Sequence, residues 1–388
     1  MPDPLVVERI LHHIDHETTD LGEKTWREPV AHYRSTERFA AELERVLRRH
    51  PTPFCPSAAL PEPGSYVARE AAGTPLLVVR GREGRVRAFR NTCRHRGTEV
   101  AASSGCTQAF VCPYHGWSYG LDGGLRHVPH EHGFPGLDKS ARGLVPVETL
   151  ERHGIVFVTQ EAPARSDPSL ARIPSPLIEE SYELSPELSG EREVPANWKI
   201  LVEGFIEGYH IRSTHRKTFF PVQFDNLNVV ETFGRNSRVA YPYRAIEKLR
   251  GVAPAERSAA GVLTYVYHLF PNAVVATFPG RIFLVVIEPL AADRTLLVTY
   301  GLTRRSENDA EARAALKRGS ELVDLGAAED RAMACSVQRG LASGANEFLE
   351  FGRFEAAIGH FHRALHAATE GIDAAIDGEG LVQREVAG

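Results

Sequence analysis

Cysteine is scarce in this chain, five among 388 residues. That odd, sparse set excludes a disulfide-stapled secreted scaffold and leaves the thiols to metal chemistry or to plain packing. No apolar run approaches the ~18 residues a membrane span needs. Charge of one sign is also missing: 45 Lys and Arg against 50 Asp and Glu leave a net charge of −5, without a basic block. Tracking of a nucleic-acid backbone is thereby excluded. The start, Met1-Pro2-Asp3-Pro4, has neither the basic nor the apolar region of a secretory leader, which predicts a cytoplasmic protein. No G-x-G-x-x-G follows a predicted strand, so the chain has no dinucleotide site of its own. What is present is ordinary globular material, 43% hydrophobic and 24% charged, long enough for roughly two to three domains.

Three textures follow one another along the chain. Residues 1–50 read as helical, with Phe39, Leu43, Val46 and Leu47 at helical spacing between Ser35 and His50. Residues 51–162 change to short strands with glycine turns. Gly81-Arg82-Glu83-Gly84 separates two apolar runs as a hairpin would, and Asp122-Gly123-Gly124 marks another turn. Ala162 to Pro195 is rich in proline and serine and reads as a connecting arm. Residues 163–388 otherwise predict an α+β unit: a helix from Trp198 to Ile211, three β-rich runs between Leu263 and Thr303, and two long helical pieces that break near Ser343-Gly344. An all-β module followed by a separate α+β module, with the first fifty residues packed on the latter, is the expected organisation.

Two turns carry the strongest chemical signal. Cys93-Arg94-His95 and Cys112-Pro113-Tyr114-His115 are separated by sixteen residues. Two thiolates and two imidazoles can hold zinc, but zinc sites of that composition usually take two cysteines from one turn and two histidines from the other. One cysteine and one histidine from each turn suits a [2Fe–2S] cluster whose cysteines hold one iron and whose histidines hold the other. With Gly97 after the first turn and Gly116-Trp117 after the second, the pair resembles the Rieske motif.

A second constellation lies in the helical stretch after Trp198. Glu203, Glu207 and His210 cut a polar stripe at i, i+4 and i+7 through an otherwise apolar run, and His215 follows. Two carboxylates at i,i+4 repel one another and ask for a cation. Two histidines and one carboxylate on one face are what non-haem Fe(II) uses to activate O₂. His210 and His215 are the natural histidine pair. For the acid, Asp330 has Val323, Ala327, Met333, Ala334 and Val337 as helical neighbours, and Glu329 is almost as well placed. Residue spacing leaves the two open.

Asn197-Trp198-Lys199, the run from Glu207 to His215, and Asp330 eight residues before Gln338 resemble the catalytic domain of the Rieske non-haem iron oxygenase α subunits. With the two Cys/His turns, the resemblance covers about Tyr33 to Gly340. It implies an all-β Rieske domain beside a catalytic domain with a curved antiparallel sheet and flanking helices. It also implies Cys93, His95, Cys112 and His115 as cluster ligands, and His210, His215 and Asp330 as ligands of a mononuclear Fe(II). Glu207 would be the bridging carboxylate between His210 and His115 of a neighbouring subunit in a head-to-tail homotrimer, with or without β subunits. The bridging acid of the family is more often aspartate. A glutamate resembles the branch acting on carnitine-like quaternary ammonium substrates. Thr98 and Tyr114 stand where respiratory Rieske proteins carry an additional cysteine pair, so the likeness is to oxygenase and ferredoxin clusters of lower potential.

The implied activity is that of a terminal oxygenase, which hydroxylates an aromatic or otherwise apolar organic substrate with O₂. Its electrons come from NAD(P)H only indirectly, through a separate reductase and, in some systems, a ferredoxin. A monooxygenase acting on a quaternary amine, or by N- or O-demethylation, is the rival within the class; an electron carrier without oxygenase activity is the rival outside it. Two further groups of histidines have bland readings: His127, His130 and His132 as a solvated loop, and His360, His362 and His366 as a helix surface.

Overall fold

The computed structural model describes residues 3–161, 168–174, 177–304 and 310–371. Its contacts divide into two units. One comprises Leu47–Ser166 with Ser175–Leu184; the other comprises the chain up to Val46, Asp167–Pro174, and Ser185 onward.

The first unit is all-β. Seven antiparallel strands pair in the order Thr52–Pro56, Ile155–Thr159, Pro146–Arg152, Val86–Arg90, Thr74–Arg80, Ser65–Ala71, Ser104–Cys106. A smaller sheet of Phe110–Val111, Ser118–Tyr119 and Leu125–His127 stands beside it. Between them Leu77, Val79, Phe89, Phe110, Trp117, Tyr119, Leu121 and Leu125 form one apolar core that includes Cys93 and Cys112. The Asp122-Gly123-Gly124 turn is real, and glycine is required at Gly123: its φ is +79°, and a Cβ there would come within 2.4 Å of the Phe89 ring.

The second unit holds a seven-stranded sheet in the order Tyr182–Val194, Arg294–Arg304, Arg281–Ala291, Ala273–Phe278, Leu263–Leu269, Asn236–Pro242, Val229–Phe233, in which the last six are a consecutive antiparallel meander and Tyr182–Val194 joins the edge beside Arg294–Arg304. Helices Trp198–Phe205, Ala310–Leu341 and Ala356–Glu370 accompany the sheet, and Trp198, Val202, Phe361, Ala364 and Leu365 share its core with Val274, Val285 and Ile287. Helix Asp3–His16 buries Val6, Val7, Ile10 and Leu11 and is tied to the sheet by Tyr265, whose hydroxyl donates to Asp3 at 2.9 Å.

Several sequence expectations change here. Much of the presumed connecting arm is a 13-residue edge strand, Tyr182–Val194; its alternation was hidden because an edge strand exposes much of its length. Residues 162–167 and 175–176 of that arm lie outside the described residues. The three β-rich runs are four strands, because Pro279-Gly280 turns the middle one back on itself. The Ser35–His50 helix is α-helical over Thr36–Glu42 and widens into a π-turn over Leu43–Leu47. Helix Trp198–Ile211 ends at Phe205. Gly204 and Gly208 weaken its continuation, and Gly208 is held where a Cβ would lie 2.3 Å from Asn228 Oδ1.

Candidate metal centres

In the β unit, the two Cys/His turns are built alike. Cys93 N–H donates to the carbonyl of Thr98 and Cys112 N–H to that of Trp117, both at 2.8 Å. Gly97 and Gly116 return their N–H groups to Cys93 and Cys112, both at 3.0 Å, with φ of +85° and +74°. That left-handed conformation is why each turn carries glycine at this position. The result is two matched arms with their cysteines inside and their histidines outside. Cys93 and Cys112 are buried free thiols, while His95 and His115 bring their Nδ1 atoms within 3.1 Å of each other at the surface. His95 stacks on Trp117 with ring centres 4.9 Å apart, which fixes its plane. Tyr119 accepts from the N–H of Arg94 at 2.9 Å, and its hydroxyl lies 3.3 Å from Cys93 Sγ, to which it would donate once that sulfur is a thiolate. Burial pushes the Cys112 thiol up. A buried thiol pair and an outward imidazole pair suit the two irons of a [2Fe–2S] cluster, one pair each.

In the second unit, the break after Phe205 changes the expected stripe. Glu203 stays on the helix and turns away, toward His362 and Tyr33. Glu207 and His210 lie in the turn that follows, where Glu207 takes the N–H groups of Tyr209 and His210 and the Nδ1–H of His210. A one-turn helix, Ile211–Thr214, then presents His215 at its end. Helix Ala310–Leu341 supplies the acids. Gly326 on that helix leaves room for Phe219, whose ring would lie 2.3 Å from any Cβ there and which packs at a tilt against His215 with centres 4.7 Å apart.

His210, His215 and Asp330 come together. His210 Nε2 and His215 Nε2 are 3.1 Å apart, and Asp330 Oδ1 is 2.9 Å from the latter and 3.5 Å from the former. Glu329 faces the other side: its carboxylate accepts from His215 Nδ1 at 2.8 Å and from the Thr218 hydroxyl at 2.6 Å. Each imidazole thus points Nε2 inward and gives Nδ1–H to a carboxylate, Glu207 for one and Glu329 for the other. This is the arrangement that fixes the tautomer of metal-binding histidines. Burial lowers the basicity of His210, but Asp330 and Glu207 outweigh it and push its imidazole up to about 10; Asp330 is held below the usual carboxylate range by the same histidines against the effect of burial. The site is an anionic cup that calls for a cation, and its donor set fits Fe(II) with open positions. The apolar seam expected around Asp330 is only partly inward: Ala334 is buried, but Met333 and Val337 are exposed.

A cavity of about 560 Å³ opens on these residues. Leu201, Phe205, Phe219, Val266, Phe278 and Phe283 contribute apolar wall, while Glu187, Glu191, Arg192, Gln223, Asp324 and Arg331 bring polar and charged groups to its lining beside the metal-site residues. Among the aromatic side chains, Phe219, Phe278 and Phe283 face the cavity. Tyr265 and Tyr267 pack on Arg238 instead.

Residues 50–147 match the Rieske [2Fe-2S] domain and residues 179–371 match the ring hydroxylating alpha subunit (catalytic domain). The chain belongs to the Rieske non-haem iron oxygenase α subunit family. It is 27% identical over 362 residues to the carnitine monooxygenase oxygenase subunit of Escherichia coli (strain K12), covering 88% of this chain and 94% of that one. Choline monooxygenase, chloroplastic, of Beta vulgaris is 26% identical over 386 residues, covering 94% and 81%. The large oxygenase component of the naphthalene 1,2-dioxygenase system of Pseudomonas aeruginosa is 37% identical over a shorter 191 residues, covering 46% and 42%. In fold, a quaternary ammonium Rieske monooxygenase superposes with a TM-score of 0.76 at 24% identity, covering 89% of this chain and 95% of that one. Naphthalene 1,2-dioxygenase from Rhodococcus sp. superposes with 0.75 at 20% identity, covering 94% and 98%.

As a Rieske oxygenase, the protein is a terminal oxygenase component that carries a Rieske cluster and a mononuclear iron. It receives electrons from a reductase and oxidises a small organic molecule with O₂. No helix among the described residues is long and apolar enough to cross a membrane.

Proposed function

We propose that His210, His215 and Asp330 hold the mononuclear iron, that Cys93, His95, Cys112 and His115 hold the cluster, and that Glu207 and Glu329 set the orientation and basicity of the two iron-binding histidines. The pairing of each inward Nε2 with an outward Nδ1–H···carboxylate contact is the observation that carries this reading. When bound, the iron supplies O₂ activation and the cluster supplies electrons one at a time. The chain's own part is positional: the cavity wall excludes water and holds the substrate against the open side of the site.

We infer a largely apolar substrate of aromatic size, since most of the wall exposed to the cavity is apolar and four phenyl rings contribute to it. The quaternary-amine reading is supported by the carnitine and choline monooxygenases, which match this chain along most of their length, and by the glutamate at position 207. Substrate-dependent O₂ uptake by the reconstituted system separates the two. Uptake matched by hydroxylated product from naphthalene or indole supports the first; uptake with carnitine or choline alone overturns it in favour of the second.

We also propose a head-to-tail trimer in which Glu207 meets His115 of the neighbouring copy, with the cytoplasm as its location. The boundaries 1–50, 51–162 and 163–388 then mark an N-terminal helical segment, the Rieske domain and the catalytic domain. Mixed assemblies test the trimer. Chains lacking His115 and chains lacking Asp330 are each inactive alone, and co-assembly restores turnover if electrons cross between subunits; no recovery would sink the arrangement.

A further inference from the structure

Outside the cavity, the oxygenase unit holds a second cluster of imidazoles around an acid. Glu28, on strand Trp26–Pro29, is completely buried, as is His362 on helix Ala356–Glu370. His366 lies one helical turn beyond His362, so both rings project toward the same carboxylate. Glu28 Oε1 is 2.9 Å from His366 Nε2 and 2.6 Å from His32 Nδ1. Its Oε2 accepts from the indole N–H of Trp26 at 3.0 Å and faces His362 Nδ1 at 3.4 Å. These are the histidines that the sequence assigned to a helix surface; packing against Glu28, far away in the chain, buries them.

The placement of the His362 ring decides what this cluster can do. Its Nε2 lies 2.8 Å from Glu203, whose carboxylate also accepts from the Tyr33 hydroxyl at 2.6 Å. Its Nδ1 is buried without a hydrogen-bond partner and faces Glu28 Oε2 at 3.4 Å. The carboxylate–histidine order, with Glu203 behind His362, repeats the arrangement of Glu207 and Glu329 behind His210 and His215. Trp26 and Phe351 stack on the His362 ring with centres 6.3 and 5.9 Å away and hold its plane. The ligand atoms of Glu28, His362 and His366 lie within 4.8 Å of one another.

We propose that Glu28, His362 and His366 form a second metal site, for a divalent transition ion of the zinc class, with His32 steadying the free carboxylate oxygen. Two imidazole nitrogens and a carboxylate oxygen suit that ion. One divalent charge also balances the two buried carboxylates, Glu28 and Glu203, that flank His362. His32 and His366 are only partly buried and give the ion a way in. Bound there, it ties the N-terminal strand to the C-terminal helix across more than 300 residues of chain.

Zinc retained after dialysis of the full-length holoprotein against Zn²⁺ and desalting tests this, in parallel with a His210→Ala/His215→Ala chain that removes the proposed iron site. About one zinc per chain is expected in both backgrounds, falling at least tenfold with Glu28→Gln or His362→Gln. Zinc that disappears with His210→Ala/His215→Ala but survives Glu28→Gln overturns the proposal, as does no retained zinc at all. If the cluster's visible spectrum shows that Glu28→Gln does not fold, X-ray absorption on the His210→Ala/His215→Ala chain replaces it: imidazole scattering with metal–ligand distances of about 2.0 Å supports the site, and a shell of oxygens alone overturns it.

Discussion

Glu329 receives the Nδ1–H of His215 at 2.8 Å, on the side of the ring opposite the atom that faces Asp330. Two adjacent acids thus work on the two nitrogens of one imidazole. On an α-helix consecutive residues point about 100° apart, and that rotation separates their roles.

Removing either acid should therefore have different consequences. Asp330→Ala is expected to lower iron from about three to about two per chain while leaving about two sulfides and the cluster spectrum unchanged. Glu329→Ala is expected to weaken retention of the third iron by about 10- to 100-fold without abolishing it. Iron and sulfide analysis across a chelator titration distinguishes them; equal loss in both variants would refute the division of labour.

Glu207→Gln keeps the shape of the side chain but removes the charge opposite His210. Both metals are expected to remain, with turnover and reoxidation of the reduced cluster slowed by about tenfold or more. Stopped-flow absorbance with substrate and O₂ measures the second quantity, and an unchanged rate argues against the role.

The Tyr119 hydroxyl, 3.3 Å from Cys93 Sγ, would be the donor to that sulfur as a cluster-bound thiolate. Tyr119→Phe removes one donor worth about 1 kcal/mol, which for a one-electron couple corresponds to a potential lower by ~40 mV. The direction follows because a hydrogen bond to the sulfur favours the more electron-rich, reduced cluster. Redox titration of the purified protein reads the shift.

Lys199 and Glu42 form a fully buried ion pair, with Nζ 2.9 and 2.8 Å from the two carboxylate oxygens, and the Trp198 indole donates to the same carboxylate at 3.0 Å. Lys199→Ala strands a buried carboxylate and is expected to cost about 3–5 kcal/mol in urea unfolding. Replacing both residues by apolar ones of similar size should recover much of that loss.

His268 is completely buried, and burial holds its imidazole down to about 4. Its folded-state value lies below that of the unfolded chain, so the unfolded chain binds the proton more readily between the two. Its neutral form therefore supports the fold fully above about pH 6.5, and that support falls away as the pH drops toward about 4, by roughly 3 kcal/mol in all. His268→Gln should flatten unfolding free energy against pH over this window.

The sequence alone picked out the residues proposed for the cluster and the residue types proposed for the iron. Cys93, His95, Cys112 and His115 sit in two turns whose glycines dictate the local backbone, so residue order and turn geometry carry the chemistry together. His210 and His215 are similarly close in the chain. Only the tertiary structure separates Asp330, beside Nε2 of both histidines, from Glu329, at Nδ1 of His215, because both acids reach the histidines through helix packing across more than 100 residues of chain. The same holds for Glu203, which looked like part of the iron-site stripe until the helix broke at Phe205, and for His362 and His366, which looked like surface until Glu28 covered them. Periodicity reports which face of a helix is apolar. What a polar group on that face will meet depends on segments that sequence proximity does not place.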